Sequence, residues 1–138
     1  MASLKERVDA IEECYEFMLA YAAQGLPGDQ GSSSGSQLRH LLGRAVEGLA
    51  DLGGAYAAAV QQEHLEPAGH YDAFLSVLSR DAVDSLAALE LVLAQPMLSS
   101  QLIDNLNASI HLRALLTDVF LIDEILKLQG AAKPVSTE

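Results

Sequence analysis

The sequence predicts an all-α protein, an antiparallel four-helix bundle that forms a dimer. Three observations support this fold class. Apolar residues recur with helical spacing along four long segments, and turn-forming residues fall between those segments. Hydrophobic residues make up 50% of the chain while aromatic residues make up only 5%, so the core must consist of Leu, Ala, Val and Ile, as is typical of helical bundles. The 138 residues are predicted to form a single domain.

Helix one is predicted over about residues 3–24, followed by a mobile loop of Gly, Ser and Pro residues over about 25–36. Ser3 and Glu6 have the spacing of a capping box at the start of the helix. The apolar residues of the helix recur at steps of four and three, which places them on one face: Leu4, Val8, Ile11, Tyr15, Met18 and Ala22.

Helix two is predicted over about residues 37–63, where apolar residues follow a seven-residue repeat. The repeat consists of Leu38, Leu42, Ala45, Leu49, Leu52, Tyr56 and Ala59. Four glycines within this segment lower its helix propensity, so tertiary packing must hold the helix together.

Two further helices are predicted, over about residues 70–95 and 100–129. Pro96 ends helix three and Gly130 ends helix four, before a tail over 131–138 that is predicted to be frayed.

The formal net charge of −11 argues against some classes of partner. An acidic surface repels phosphate backbones and anionic lipid headgroups, so neither nucleic acid nor a membrane is an expected partner. The first residues lack the apolar core of a signal peptide, and no run reaches the roughly 18 apolar residues that a membrane span requires. We therefore expect a cytoplasmic protein in which Cys14, the only cysteine, is a buried thiol.

The stretch "IHLRALLTDVFLIDEIL", residues 110–126, is apolar on nearly every side after Arg113. Each helix of a four-helix bundle keeps a solvent side, so this surplus predicts contact with another chain. The expected contact is either a second copy or another protein's amphipathic helix. The predicted interface residues are Leu115, Val119, Leu121, Ile122, Ile125 and Leu126. The leading hypothesis is a non-enzymatic protein-protein interaction module, such as an assembly or chaperone-like adaptor, without cofactor or metal.

Two charged residues fall on apolar faces of their helices. Asp81 lies on the apolar face of helix three and Arg113 on that of helix four, so we predict a salt bridge between them. By contrast, a polar row on helix four is predicted to face solvent: Asp104, Asn107, His111 and Asp118.

The segment "RHLLGRAVEGLADLGG" resembles the phosphoacceptor helix of histidine-containing phosphotransfer domains, which are acidic helical bundles of similar size. In that family an exposed His is followed by Lys three positions on and Gly four on, whereas here Gly43 precedes Arg44. The resemblance implies an alternative function in which His40 accepts a phosphoryl group and Arg44 neutralises its charge.

A second alternative is a metal-binding bundle. Glu63, His64, Glu66 and His70 flank one predicted loop and carry ligand types that zinc accepts. The Glu-x-x-His pairs of di-iron bundles do not occur in the sequence.

Overall fold

The computed structural model describes the backbone of residues 2–132 and the side chains of residues 2–130. This part of the chain contains six α-helices and no β-strand, which confirms the all-α class. The helices are α1 (Leu4–Ala22), α2 (Ser33–Leu49), α3 (Leu52–Glu63), α4 (Ala68–Leu93), α5 (Ser100–Ala108) and α6 (His111–Ala132). The predicted end of the last helix at Gly130 is therefore corrected to Ala132, and 133–138 of the predicted frayed tail lie outside the described residues.

The first helix begins with the predicted capping box. The Ser3 hydroxyl accepts a hydrogen bond from the Glu6 backbone N–H at 3.1 Å, and the Glu6 carboxylate accepts one from the Ser3 N–H at 2.9 Å. Two backbone donors at the helix start are thus satisfied. The face that points to the core includes Val8, Ile11 and Met18, in agreement with the predicted stripe.

The predicted second helix is two helices, because the chain turns at Ala50 and Asp51. Asp51 adopts a left-handed backbone conformation with φ 53°. Gly48 lies so close to α1 that a Cβ atom there would be 2.9 Å from the Arg7 carbonyl oxygen. The Arg7 guanidinium donates to the carbonyls of Gly48 and Ala50, which are left without helical partners at the end of α2. Contacts with α1 therefore help to end the helix where the apolar repeat alone would continue it.

The predicted fourth helix is also divided, at Ser109 and Ile110. Ile110 has a φ of 62°, which costs a β-branched residue about 1–2 kcal/mol. The Ser109 hydroxyl donates to the Leu106 carbonyl at 2.6 Å and so satisfies one of the last carbonyls of α5. No Gly or Pro marks this position, which is why the sequence pattern predicts one continuous helix.

The loop between α1 and α2 is shorter than predicted and is tied to the rest of the fold. Ser32 caps α2 by accepting from the Gly35 N–H at 2.9 Å, so the helix begins at Ser33 and not at residue 37. Asp29, in the loop, is 6% exposed. Its carboxylate accepts hydrogen bonds from the Arg39 guanidinium at 2.5 Å and from the Leu98 N–H at 2.7 Å.

Arg39 extends this network to the end of α4. Its guanidinium donates to the carbonyls of Leu93 at 3.2 Å and Gln95 at 3.0 Å. The Arg39 guanidinium also holds the pKa of Asp29 below its ordinary value, because it stabilises the charged carboxylate. One ion pair therefore links the first loop, α2, the end of α4 and the segment before α5.

A second set of hydrogen bonds joins the end of α1 to the start of α5. The Tyr21 hydroxyl donates to the Leu98 carbonyl at 2.7 Å, and the Ser100 hydroxyl donates to the Tyr21 carbonyl at 2.7 Å. Leu26 and Ser100 exchange two further bonds of 2.8 Å, through the Ser100 hydroxyl and through their backbones. These bonds satisfy polar groups that the loops would otherwise bury without partners.

All six helices contribute apolar side chains to one core. The most extensive packing is between α1 and α2, and α4 packs against α6, α3 and α2. The packing between α1 and α6 involves far fewer residues. Across residues 2–132, no helix combines the length and the apolar character that crossing a bilayer requires.

Replacing Asp29 should destabilise the fold strongly. In Asp29→Ala the Arg39 guanidinium, of which one third is exposed, loses its counter-charge, and the Leu98 N–H loses its acceptor. We expect a loss of about 2–3 kcal/mol in the free energy of unfolding at pH 7, measured by urea denaturation. Asp9→Ala is the control because it removes an exposed salt bridge to Lys5, and it should change stability little. Equal effects of the two substitutions would contradict this account of Asp29.

Candidate functional site

A groove runs along the surface between α1 and α6, which pack against each other through few residues. It consists of two adjoining cavities of about 470 Å³ and 400 Å³, which share Glu12 and Phe120. Leu4 and Leu126 line one end, while Leu19 and Arg113 line the other, so the two helices run in opposite directions along it. We call this feature the α1–α6 groove.

The first cavity has an apolar floor above a buried tyrosine of α3. The Tyr56 ring is 2% exposed, and its hydroxyl donates to the Asp123 carboxylate at 2.9 Å. Burial raises the pKa of Asp123, and the hydrogen bond from Tyr56 opposes that shift. Burial, followed by the charge and the hydrogen bond of Asp123, raises the pKa of Tyr56. The apolar lining consists of Leu4, Val8, Tyr56, Phe120 and Leu126.

The second cavity continues the apolar floor toward the end of α1. Its apolar lining is Tyr15, Leu19, Leu116 and Phe120. Leu19 is 48% exposed and Phe120 is 50% exposed, so these side chains present a large apolar area to solvent at the groove. Exposed apolar side chains that are contiguous and rimmed by polar residues are typical of a protein-binding surface.

The rim of the groove is mainly acidic. Asp9, Glu12, Glu16 and Asp123 line it, against two basic residues, Lys5 and Arg113. Lys5 donates to Asp9 at 2.8 Å. Within the described part of the chain, Glu12 and Glu16 form no salt bridge or side-chain hydrogen bond.

The structure accounts for most of the surplus apolar surface of the last predicted helix. Leu115, Val119 and Ile122 were predicted to form an interface, but they are at most 1% exposed and lie in the chain's own core. This correction arises because α6 packs against α4, α1 and α5, so more than one of its sides is covered within one chain. Ile125 and Leu126 are half-buried and Leu121 is 50% exposed, so only these three predicted interface residues remain accessible.

The predicted salt bridge between Asp81 and Arg113 is absent from the described residues. Arg113 is exposed at the groove, whereas Asp81 on α4 faces Asp118 on α6. Helical periodicity placed Arg113 inward, but the break at Ile110 starts a new helix and changes the direction of the residues after it. Two carboxyl groups therefore meet where an ion pair was expected.

Two of the four polar residues that were predicted to face solvent on helix four are partly buried. Asp104 and His111 are exposed, but Asn107 is half-buried and its amide donates to the Met18 carbonyl at 3.2 Å. Asp118 has a buried carboxylate oxygen, Oδ2, without a donor. Burial is the main cause that raises the pKa of Asp118 to about 7, and the neighbouring Asp81 carboxyl adds to the shift.

His40 and Arg44 lie on α2, and the imidazole is exposed near the middle of this helix. The space beside Gly43 is open. The Arg44 guanidinium, however, donates to the Glu13 carboxylate of α1 at 3.1 Å, so it is already engaged with a counter-charge. The phosphotransfer alternative stays a prediction.

The proposed zinc ligands stand around the turn between α3 and α4. His64 follows α3 with a φ of 51°, and the Glu66 carboxylate accepts from the Ala68 N–H at 3.1 Å. Over residues 2–132, no group of three or more His, Cys, Asp and Glu side chains is arranged to hold a metal ion. The described geometry therefore offers no support for this alternative.

The α1 half of the groove was missed at the sequence level. The sequence pattern places Tyr15 in the core stripe and predicts no role for Glu12, Glu16 or Leu19. The only feature of the sequence that indicates an apolar surface on this side of α1 is Leu19, which lies outside the main apolar stripe of helix one. The pairing of α1 with α6 depends on tertiary contacts between residues about 100 positions apart, which periodicity within one helix does not reveal.

No protein-family model matches the chain, and neither the search of curated proteins nor that of solved structures finds a significantly similar protein.

The pair formed by Asp81 and Asp118 should make stability depend on pH. The pKa of Asp118 is higher in the folded state, about 7, than the ordinary value of 3.8. Its contribution is therefore fully present below about pH 4 and is lost as the pH rises through about 7. Compared with Asp118→Asn, the unchanged protein should lose on the order of 1 kcal/mol of its free energy of unfolding across this pH window. The loss is this small because both carboxyl groups are partly exposed to solvent.

Urea denaturation at pH 4.5, 6 and 8 measures this difference. Asp84→Asn, which removes an exposed carboxylate from α4, is the control and should keep the pH dependence. A stability difference between the unchanged protein and Asp118→Asn that is constant with pH would show that Asp118 ionises normally.

Proposed function

We propose that this chain is a non-enzymatic helical interaction module that holds an amphipathic helix of another protein in the α1–α6 groove. The observation that supports this function is the continuous apolar floor with Phe120 half-exposed at its centre. The protein would then act as an adaptor or an assembly chaperone, since proteins of both kinds shield an apolar helix of their partner. The same proposal places the protein in the cytoplasm, where the buried thiol of Cys14 needs no disulfide partner.

The dimensions of the groove suit a helix. From Leu4 to Leu19 the α1 side spans 15 residues, which corresponds to roughly 22 Å, or four helical turns. Apolar side chains at i, i+3, i+4 and i+7 of a bound helix would contact the floor, as in other helix-in-groove complexes. Leu19 and Phe120 would lose their exposed area in the complex.

Binding fits the polar groups of the groove better than catalysis does. Its described lining contains carboxylates, one Lys, one Arg, one Thr and two Tyr residues, but no Ser, Cys or His. Thr117 donates its hydroxyl hydrogen bond to the Arg113 carbonyl at 2.8 Å, so it is not paired with a base. The described lining therefore lacks a hydroxyl or thiol nucleophile that is hydrogen-bonded to a His base.

A peptide that forms a neutral amphipathic helix, with a Leu face and a Gln face, tests the groove directly. We expect it to bind, and we expect Phe120→Ser to weaken binding about tenfold, because a central aromatic anchor contributes about 1–2 kcal/mol. Fluorescence anisotropy measures the affinity, and amide chemical shifts should change along α1 and α6.

Leu91→Ser is the matched control, since Leu91 on α4 is 67% exposed and lies outside the groove. Far-UV circular dichroism checks that both variants remain helical. If the control weakens binding as much as Phe120→Ser does, or if the shifts map to α4, the groove is not the binding site.

Homodimerisation through α6 is a second proposal, supported by a different surface. Leu121 is 50% exposed and Leu128 is 58% exposed, and they lie seven residues apart on the outer side of α6 with half-buried Ile125 between them. A two-fold axis beside this stripe would bring the same residues of two copies together.

Light scattering across a dilution series tests the dimer. We expect the unchanged protein to have twice the mass of one chain and Leu121→Glu to be monomeric, because a buried, unpaired carboxylate costs several kcal/mol. Leu91→Glu, on α4, should leave the mass unchanged. A monomeric unchanged protein at every concentration would remove this second proposal and leave the groove proposal standing.

A further inference from the structure

The two sides of the α1–α6 groove differ in charge. The α1 side carries three acidic residues, Asp9, Glu12 and Glu16, whereas Arg113, Thr117 and Asp123 line the α6 side. Lys5 neutralises Asp9. The acidic residues of the α1 side that form no salt bridge are therefore Glu12 and Glu16.

Glu12 and Glu16 are four residues apart on one helix, so their side chains are neighbours, and like charges at this spacing repel. Glu12 is half-buried and Glu16 is exposed. Within the described residues neither carboxylate forms a salt bridge, although Lys5 lies close enough to Glu12 to interact with its charge. A cation carried by a bound helix would relieve this repulsion.

We infer that the helix bound in the groove carries Lys or Arg on the flank that faces α1, at positions four residues apart. This inference rests on the proposed function and specifies the chemical class of its partner. The apolar face of the partner supplies most of the affinity, while its basic flank sets the specificity, the association rate and the salt dependence.

A second copy of this chain is a poor occupant of the same groove. The chain has a formal charge of −11, and two copies meeting at this groove would bring like charges together. Like charges held against each other across an interface oppose association. The occupant is therefore expected to be a different protein with a basic amphipathic segment.

Three synthetic helical peptides separate the contribution of charge from that of the apolar face. All three share one Leu face, and the flank carries Lys, Gln or Glu at the same positions. In 50 mM NaCl we expect the Lys peptide to bind at least tenfold more tightly than the Gln peptide, and the Gln peptide more tightly than the Glu peptide. The advantage of the Lys peptide should decline severalfold in 500 mM NaCl, because salt screens exposed charges.

A double variant locates the effect in the groove. Glu12→Gln with Glu16→Gln should weaken binding of the Lys peptide about tenfold and leave binding of the Gln peptide unchanged. The control, Asp72→Asn with Asp84→Asn, makes the same change in net charge at exposed positions of α4 that do not line the groove. These substitutions are conservative, and far-UV circular dichroism checks that both double variants fold.

The outcomes distinguish this inference from the proposed function. Equal binding of all three peptides, or equal loss of Lys-peptide affinity in the two double variants, would overturn the basic flank and leave helix binding intact. If none of the three peptides binds, the proposed function fails, and the basic flank fails with it.

Discussion

The buried carboxylate of Asp29 is the constraint on which the arrangement of the helices depends. Burying a charge is costly unless it is paired, and Asp29 is paired with Arg39 and bonded to the Leu98 N–H. Arg39 in turn bonds to the carbonyls of Leu93, the last residue of α4, and of Gln95 just after the helix. The first loop, α2, α4 and the entry to α5 are therefore fixed at one end of the molecule. Leu26 is the loop side chain that packs against the core, and the polar network supplies the remaining contacts that hold this Gly- and Ser-rich loop in place.

From this fixed end, the rest of the fold determines where the groove lies. Tyr21 and Ser100 tie the last turn of α1 to the start of α5, and α1 packs extensively on α2. The chain then turns at Ile110 and α6 runs back along α1 with fewer contacts. Tyr56 lies beneath the groove and bonds to Asp123 at its rim. The apolar residues left uncovered between α1 and α6 are thus a consequence of how the last helix is placed.

The groove also separates two kinds of interaction that a partner helix would make. Its floor is apolar and offers affinity through burial, whereas the α1 rim carries Glu12 and Glu16 and offers discrimination between partners. The carboxyl pair Asp81 and Asp118 lies elsewhere, where α4 faces α6. It affects the stability of the fold and does not contribute to the rim.

The sequence by itself determined the all-α class, the capping box at Ser3, the core stripe of α1 and the buried thiol of Cys14, because each depends on spacing within one segment. It did not reveal the turns at Asp51 and Ile110. Their left-handed residues are neither Gly nor Pro, and the apolar repeat continues across both positions. Only the tertiary structure decided that Leu115, Val119 and Ile122 belong to the core, that Asp81 meets Asp118, and that α1 and α6 form a groove. Each of these depends on which helices become neighbours, and the period of one helix carries no information about its partners.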